Sequence, residues 1–189
     1  MKVTGINGSA RKDGNTAIII GKVFDELNRE GIGTELIQLA DYDIQPCRGC
    51  FACKGRGNCV FTKDGFAEIF HRMVEADGII LGSPVYSADV SAKMKAFLER
   101  GGVVVATNPG LLRHKVGASV AAVRRGGGMT TADTMNHFML NKEMIVVGST
   151  YWNMVYGKNI GDVLNDDEGM TNMRNLGENM GFILNKVKG

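Results

Sequence analysis

Five short β-rich runs alternate with longer amphipathic ones along this chain, and that alternation leaves few folds open to it. Lys2 to Ile6, Thr34 to Leu39, Gly78 to Gly82, Gly117 to Val123 and Ile145 to Gly148 read as strands. Thr16 to Arg29, Phe66 to Val74, Ala92 to Arg100 and Thr131 to Leu140 carry apolar residues at helical spacing, and Glu168 to Val187 closes the chain as an amphipathic helix. A parallel strand pair cannot be joined by a tight turn, so strand, crossover and strand in alternation imply a parallel α/β sheet with helices on both faces. Its ligand belongs at the carboxyl ends of the strands, where the winding reverses. The loops after strands one, three and four are therefore where function is expected.

The 189 residues, 44% of them hydrophobic, suit one domain spanning 1–189 rather than two. Charge is nearly balanced, 22 basic residues against 20 acidic, and no basic block is interleaved with aromatics, so nucleic acid is not an expected partner. No apolar run approaches the ~20 residues of a membrane span, and no secretory segment precedes the first strand. The expectation is a cytoplasmic, soluble protein with no membrane contact.

Asn7-Gly8-Ser9-Ala10-Arg11-Lys12-Asp13-Gly14-Asn15-Thr16 follows the first strand and leads directly into a helix. Hydroxyls on Ser9 and Thr16, glycines that let N–H groups converge, the charge of Arg11 and the positive end of the helix dipole suit an anion. The stretch matches neither G-x-x-x-x-G-K-[ST] nor G-x-G-x-x-G, which leaves a monophosphate. After the third strand, Ser83-Pro84-Val85-Tyr86-Ser87 offers an aromatic wall and main-chain donors. After the fourth, Arg124-Arg125-Gly126-Gly127-Gly128 allows close approach to a planar ligand, with arginines to stabilise negative charge on it. Together these loops describe a site for a ring-bearing monophosphate, with flavin mononucleotide (FMN) as the natural candidate.

All four cysteines fall within thirteen residues, Cys47, Cys50, Cys53 and Cys59, in a loop at about 44–62. C-x2-C-x2-C with a fourth cysteine nearby resembles the run that wraps an iron–sulfur cubane. Gly49, Gly55 and Gly57 let the backbone curl, so that N–H groups can point at sulfur. Structural zinc usually draws on two separated pairs, and disulfides here would close very short loops; both are weaker readings. Reduced, idle thiols on a glycine-rich surface loop are the plain alternative. The histidines His71, His114 and His137 share no ligand spacing.

Three further stretches complete a resemblance: Lys2-Val3-Thr4-Gly5-Ile6-Asn7-Gly8-Ser9-Ala10-Arg11, Ala76-Asp77-Gly78-Ile79-Ile80, and Ser83-Pro84-Val85-Tyr86, alongside Pro46-Cys47 through Cys59. Over essentially its whole length the chain resembles the iron–sulfur flavoproteins, a flavodoxin-like branch related to the NAD(P)H-dependent FMN reductases. The resemblance implies a three-layer α/β/α fold with a five-stranded parallel sheet in the order 2-1-3-4-5. It implies FMN whose phosphate is held by Ser9, Arg11, Asn15 and Thr16. Ring contacts would come from Pro84, Val85, Tyr86 and neighbouring Ser87, and from Arg124, Arg125, Gly126 and Gly127. It also implies a [4Fe-4S] cluster on Cys47, Cys50, Cys53 and Cys59. Relatives form dimers that pair into tetramers, placing one subunit's cluster loop near a neighbour's flavin. The activity implied is an FMN-dependent oxidoreductase passing electrons from a one-electron donor such as ferredoxin, through the cluster and FMN, to a small-molecule acceptor. The alternatives are an NAD(P)H-dependent FMN or quinone reductase without a functional cluster, and a non-catalytic electron carrier or redox sensor. Position 10 is alanine where many relatives have proline, and the fourth loop differs from the Gly-Gly loops ending in Gln-Glu that many of them carry.

Overall fold

The structure, a computed structural model, describes residues 1–188. Strands β1 (Lys2–Asn7), β2 (Gly33–Gln38), β3 (Gly78–Pro84), β4 (Val116–Val123) and β5 (Ile145–Val146) form a parallel sheet ordered β2-β1-β3-β4-β5. The sheet and its order are those expected. A sixth strand, β6 (Met154–Tyr156), was not foreseen, and it also pairs in parallel with β4.

Helices α1 (Asn15–Arg29) and α5 (Asp167–Lys188) cover one face, while α2 (Phe66–Glu75), α3 (Ala92–Thr107) and α4 (Gly128–Leu140) cover the other. Strand residues alternate between the two cores, as a pleat with period two requires. Ile79 and Leu81 pack with Phe66, Phe70, Phe97 and Met135, whereas Val3, Ile80, Val116 and Val120 pack with Ile20, Val23, Met173 and Met180. Phe66, Phe70 and Phe97 are fully buried, each contributing about 1.5–3 kcal/mol by removal from water.

Helix α3 runs seven residues past Arg100, through Gly101-Gly102 and Val103-Val104-Val105. Glycine pairs and β-branched runs disfavour a helix, but burial overrides propensity here. Gly101 is buried beside Phe70, where an added Cβ would lie 3.5 Å from its ring, an ordinary packing distance. The edge beside β4 is broken. Ile145 pairs with Val116 and Met154 with Ala121, so the edge chain advances nine residues while β4 advances five. The excess leaves the sheet as a loop carrying the exposed pair Tyr151 and Trp152.

Among the described residues, no helix is long and apolar enough to cross a membrane.

Candidate functional site

The loop after β1 is held to the loop after β3 by a short network. Gly8 N–H donates to the Gly82 carbonyl (2.8 Å), Ser91 Oγ donates to the Gly8 carbonyl (2.6 Å), and Ser91 N–H donates to Ser83 Oγ (2.9 Å). Gly8 has no room for a side chain, since a Cβ would lie 2.9 Å from Met94 Cβ and 3.2 Å from the Gly82 carbonyl oxygen. Ser91 also caps α3, accepting from Met94 N–H. On the other side, Asn7 Oδ1 accepts from Ser9 N–H (2.9 Å) and Gln38 Nε2 donates to the Ser9 carbonyl (2.5 Å).

These bonds frame a cavity of about 200 Å³. Its N-terminal wall is built for an anion. Helix α1 starts at Gly14 with no side-chain cap and no acidic residue in its first turn, so its opening N–H groups lack side-chain acceptors. Thr16 Oγ1 is buried without a hydrogen-bond partner. An orphaned buried hydroxyl costs roughly 1–3 kcal/mol, and a bound phosphate oxygen would satisfy it. Arg11, Arg124 and Lys158 line the cavity and no acidic residue does. The residues present therefore fit FMN.

Eight of the twelve residues expected to hold the flavin line this cavity: Ser9, Arg11, Asn15, Thr16, Pro84, Val85, Tyr86 and Arg124. Asn15 has a second engagement. Its Nδ2 donates to the Asn159 carbonyl and its Oδ1 accepts from Gly161 N–H, both at 2.8 Å, so its amide clasps the loop beyond β6. Ser87, Arg125, Gly126 and Gly127 lie outside the lining. Ser87 (φ 49°) and Ala88 (φ 63°) form the strained tip of a two-residue turn closed by Tyr86 and Asp89. Gly127, at φ 83°, packs beneath that tip, where a Cβ would lie 2.8 Å from both Ala88 Cα and Val85 Cγ1. It joins the two ring loops instead of lining the cavity. Asp89 is pulled in two directions: burial raises its carboxyl, but bonds from Thr134 Oγ1 and Val90 N–H, with Lys95 nearby, hold it below the ordinary range. Lys158 and Gly157 line the cavity unforeseen, because they follow β6, and three residues of strand leave no periodic trace.

All four cysteines line a second, small cavity of about 30 Å³ against the C-terminal half of α3. Left-handed backbone at Gly49 (φ 63°), Phe51 (φ 54°), Gly55 (φ 73°) and Gly57 (φ 69°) curls the loop, as the glycine spacing predicts. Arg100 in α3 and Asn108, the residue that caps its C-terminus, anchor it. Arg100 donates through Nε to Cys59 Sγ (3.2 Å), and through its terminal nitrogens to the Gln45 and Phe61 carbonyls and to Asp64 Oδ2. Asn108 Nδ2 donates to the Cys53 carbonyl (3.0 Å) and its Oδ1 accepts from Gly57 N–H (2.9 Å). Gly49 N–H donates to Cys47 Sγ (3.4 Å). Burial raises the Asp64 carboxyl, but Gln45 N–H and the Arg100 guanidinium outweigh it and hold that carboxyl below its ordinary range. As the side chains stand, no three cysteines form a metal-holding group among the described residues. The two cavities lie toward opposite ends of α3. At 1.5 Å per residue, Arg100 is about 14 Å along the axis from Ser91, and Asn108 about 25 Å.

Residues 1–159 match the NADPH-dependent FMN reductase family. An iron–sulfur flavoprotein of Methanocaldococcus jannaschii is 43% identical, with all of both chains covered, and one of Methanosarcina thermophila is 37% identical over 78% of each. Among solved structures, an apo NADH:FMN oxidoreductase superposes with a TM-score of 0.69 at 20% identity, covering 96% of this chain and 88% of that one. A flavodoxin from the domain Archaea superposes with a TM-score of 0.64 at 17% identity over the whole of both chains. Those two likenesses are of fold. With the anion cradle, the ring loops and the cysteine loop in place on one flavodoxin-like sheet, the chain belongs to the iron–sulfur flavoproteins, within the NADPH-dependent FMN reductase family.

Proposed function

We propose that this flavin redox protein is a two-centre electron-transfer oxidoreductase, with FMN in the cationic cavity and a [4Fe-4S] cluster on Cys47, Cys50, Cys53 and Cys59. The observation that carries it is that all four cysteine residues line one cavity, in a loop folded by left-handed residues and pinned to α3. Four soft ligands, two of whose sulfurs already accept N–H bonds, fit an iron–sulfur centre. FMN exchanges electrons in pairs or singly and a cubane singly, so the two together couple a one-electron donor such as ferredoxin to a small two-electron acceptor.

The chain's own residues bind, orient and shield. Ser9, Thr16, Arg11 and the first turn of α1 hold the phosphate, and Pro84 to Tyr86 wall the ring. Arg124 favours negative charge on it. Arg124→Ala should therefore lower the flavin midpoint potential measured by spectroelectrochemistry. Arg125→Ala, outside the cavity, should leave it unchanged; an unmoved potential in both variants removes that role.

Anaerobic purification followed by iron, sulfide and flavin analysis, with electron paramagnetic resonance of the reduced protein, tests the whole reading. About four irons per FMN is the expected result. Flavin with no stoichiometric iron would instead support a second reading, an NAD(P)H-dependent FMN or quinone reductase, which the match of residues 1–159 to the NADPH-dependent FMN reductase family favours. Rapid anaerobic bleaching of the flavin by NADPH, and not by reduced ferredoxin, would establish that alternative.

A further inference from the structure

One wall of the flavin cavity comes from far along the chain. Gly157 and Lys158, which follow β6, line it together with Arg11, Asn15 and Thr16. Asn15, the first residue of α1, is what holds them there. Its Nδ2 donates to the Asn159 carbonyl and its Oδ1 accepts from Gly161 N–H, both at 2.8 Å, so both polar atoms of the amide are engaged across 144 and 146 residues. The approach is close: a Cβ on Gly157 would lie 3.0 Å from Asn15 Nδ2 and 2.6 Å from the Val163 nitrogen. The loop is also braced from within. Asp162 Oδ2 accepts from Lys158 N–H (3.2 Å), Asn159 N–H (2.7 Å) and Asn159 Nδ2 (3.1 Å). Gly157 N–H donates to the Val123 carbonyl (2.8 Å), which ties the loop to the end of β4.

Lys158 is thus placed by the residues on either side of it, at the end of the cavity where α1 begins. That is the end suited to phosphate. A phosphate monoester carries about −1.5 to −2 charges at neutral pH, and the start of a helix offsets only roughly half of one. Among the cations nearby, Lys12 pairs with Asp41 at 2.5 Å and Arg124 belongs to the ring loop after β4, which leaves Arg11 and Lys158. Asp162 and Asp166, the acids that follow, accept from main-chain N–H groups, and neither pairs with Lys158 among the described residues. We propose that Lys158 is the second cation of the FMN phosphate site and that Asn15 is its latch, a positioning residue that holds the loop beyond β6 across the start of α1. The inference rests on the flavin reading of this cavity and is independent of the cluster.

The test measures binding of FMN, and of riboflavin, which lacks the phosphate, to the full-length protein purified anaerobically and freed of flavin by dialysis. Flavin fluorescence quenching is followed across ionic strength. Lys158→Ala, at an exposed position, should raise the Kd for FMN about fivefold at low salt, narrowing to less than about twofold near 0.5 M salt as screening shortens the Debye length. The Kd for riboflavin should not move, and Lys158→Arg should keep the affinity for FMN. Asn15→Ala should raise the Kd for FMN by a similar factor, and Asn15→Ala/Lys158→Ala by no more than either change alone, because a latch acts only through what it holds. Asn15→Ser, compatible with a helix start, takes its place in the cycle if Asn15→Ala does not fold. Unchanged FMN affinity at low salt in Lys158→Ala overturns the second cation. Losses that add in the double variant would make Asn15 a direct phosphate ligand and overturn the latch. Equal losses of FMN and riboflavin would reduce both residues to packing. Wild-type protein that binds FMN no better than riboflavin overturns the phosphate site and this inference with it; protein that binds neither overturns the flavin reading as well.

Discussion

Arg100→Gln is expected to destabilise the folded protein by about 3–5 kcal/mol, the range for stranding one member of a buried ion pair. Both partners are buried, with side-chain exposures of 3% for Arg100 and 1% for Asp64. The guanidinium also lies 4.3 Å above the Phe66 ring and donates to Cys59, Gln45 and Phe61, so no water can take its place at Asp64 without opening the loop. Urea unfolding of the flavin-free protein measures the loss. Arg100→Gln/Asp64→Asn should recover part of it, because no charge is then left stranded. The pH dependence should weaken. In the wild type the folded Asp64 carboxyl sits below its unfolded value, so its contribution is present above the ordinary carboxylate range and is lost as pH falls through the folded value. In Arg100→Gln the Gln45 and Phe66 N–H bonds remain but the guanidinium no longer opposes burial, so the carboxyl should move upward from its wild-type position and the stability lost on acidification should shrink. Iron binding should fall further than FMN binding, since the anchor touches the cysteine loop and not the cradle. A loss below about 1 kcal/mol, or equal losses of iron and flavin, would remove Arg100 from this role.

Thr16→Val should move two quantities in opposite directions. The hydroxyl is buried and unpartnered, so replacing it by an isosteric methyl is expected to leave the flavin-free protein as stable as the wild type or more stable by up to about 1 kcal/mol. The same change removes a charge-assisted bond to phosphate, worth about 1.5–3 kcal/mol, and should raise the Kd for FMN about 10- to 100-fold. Urea unfolding gives the first number and quenching of flavin fluorescence the second. A variant that loses stability without losing FMN affinity would show that Thr16 serves packing alone. Ser9→Ala is a useful comparison, because Ser9 Oγ already accepts from Arg11 N–H and its loss should disturb the loop itself.

Much of the fold was legible because the physics that forms it is local. Ile19, Ile20, Val23 and Leu27 repeat at helical spacing because one face of α1 is buried, and the pattern records that burial. The cradle was legible too, because a switch-point loop running into a helix must lie at the sheet's carboxyl edge. Where tertiary packing overrode local preference, the reading stopped short. Gly101-Gly102 reads as a helix end, yet α3 continues across it to carry Asn108 to the cysteine loop. Met154–Tyr156 is too short to register as a strand, so Gly157 and Lys158 could not be seen as a fourth wall of the cavity. The three-glycine loop reads as a ligand surface, and the structure uses Gly127 to pack against Val85 and Ala88.

By itself, the sequence determined a parallel sheet, a glycine-bearing loop between the first strand and the first helix, and a single loop holding every thiol; the strand order came from the family resemblance. The first three follow from periodicity, turn chemistry or spacing, which are properties of neighbours along the chain. Only the tertiary structure decided that Thr16 is left without a partner, that Asn15 clasps a loop 144 residues away, and that a buried Arg100 holds the cysteine loop at its start, its end and one sulfur. Those outcomes depend on which distant atoms arrive within 3.5 Å of one another. That is a property of how the layers pack, and no spacing along the chain records it.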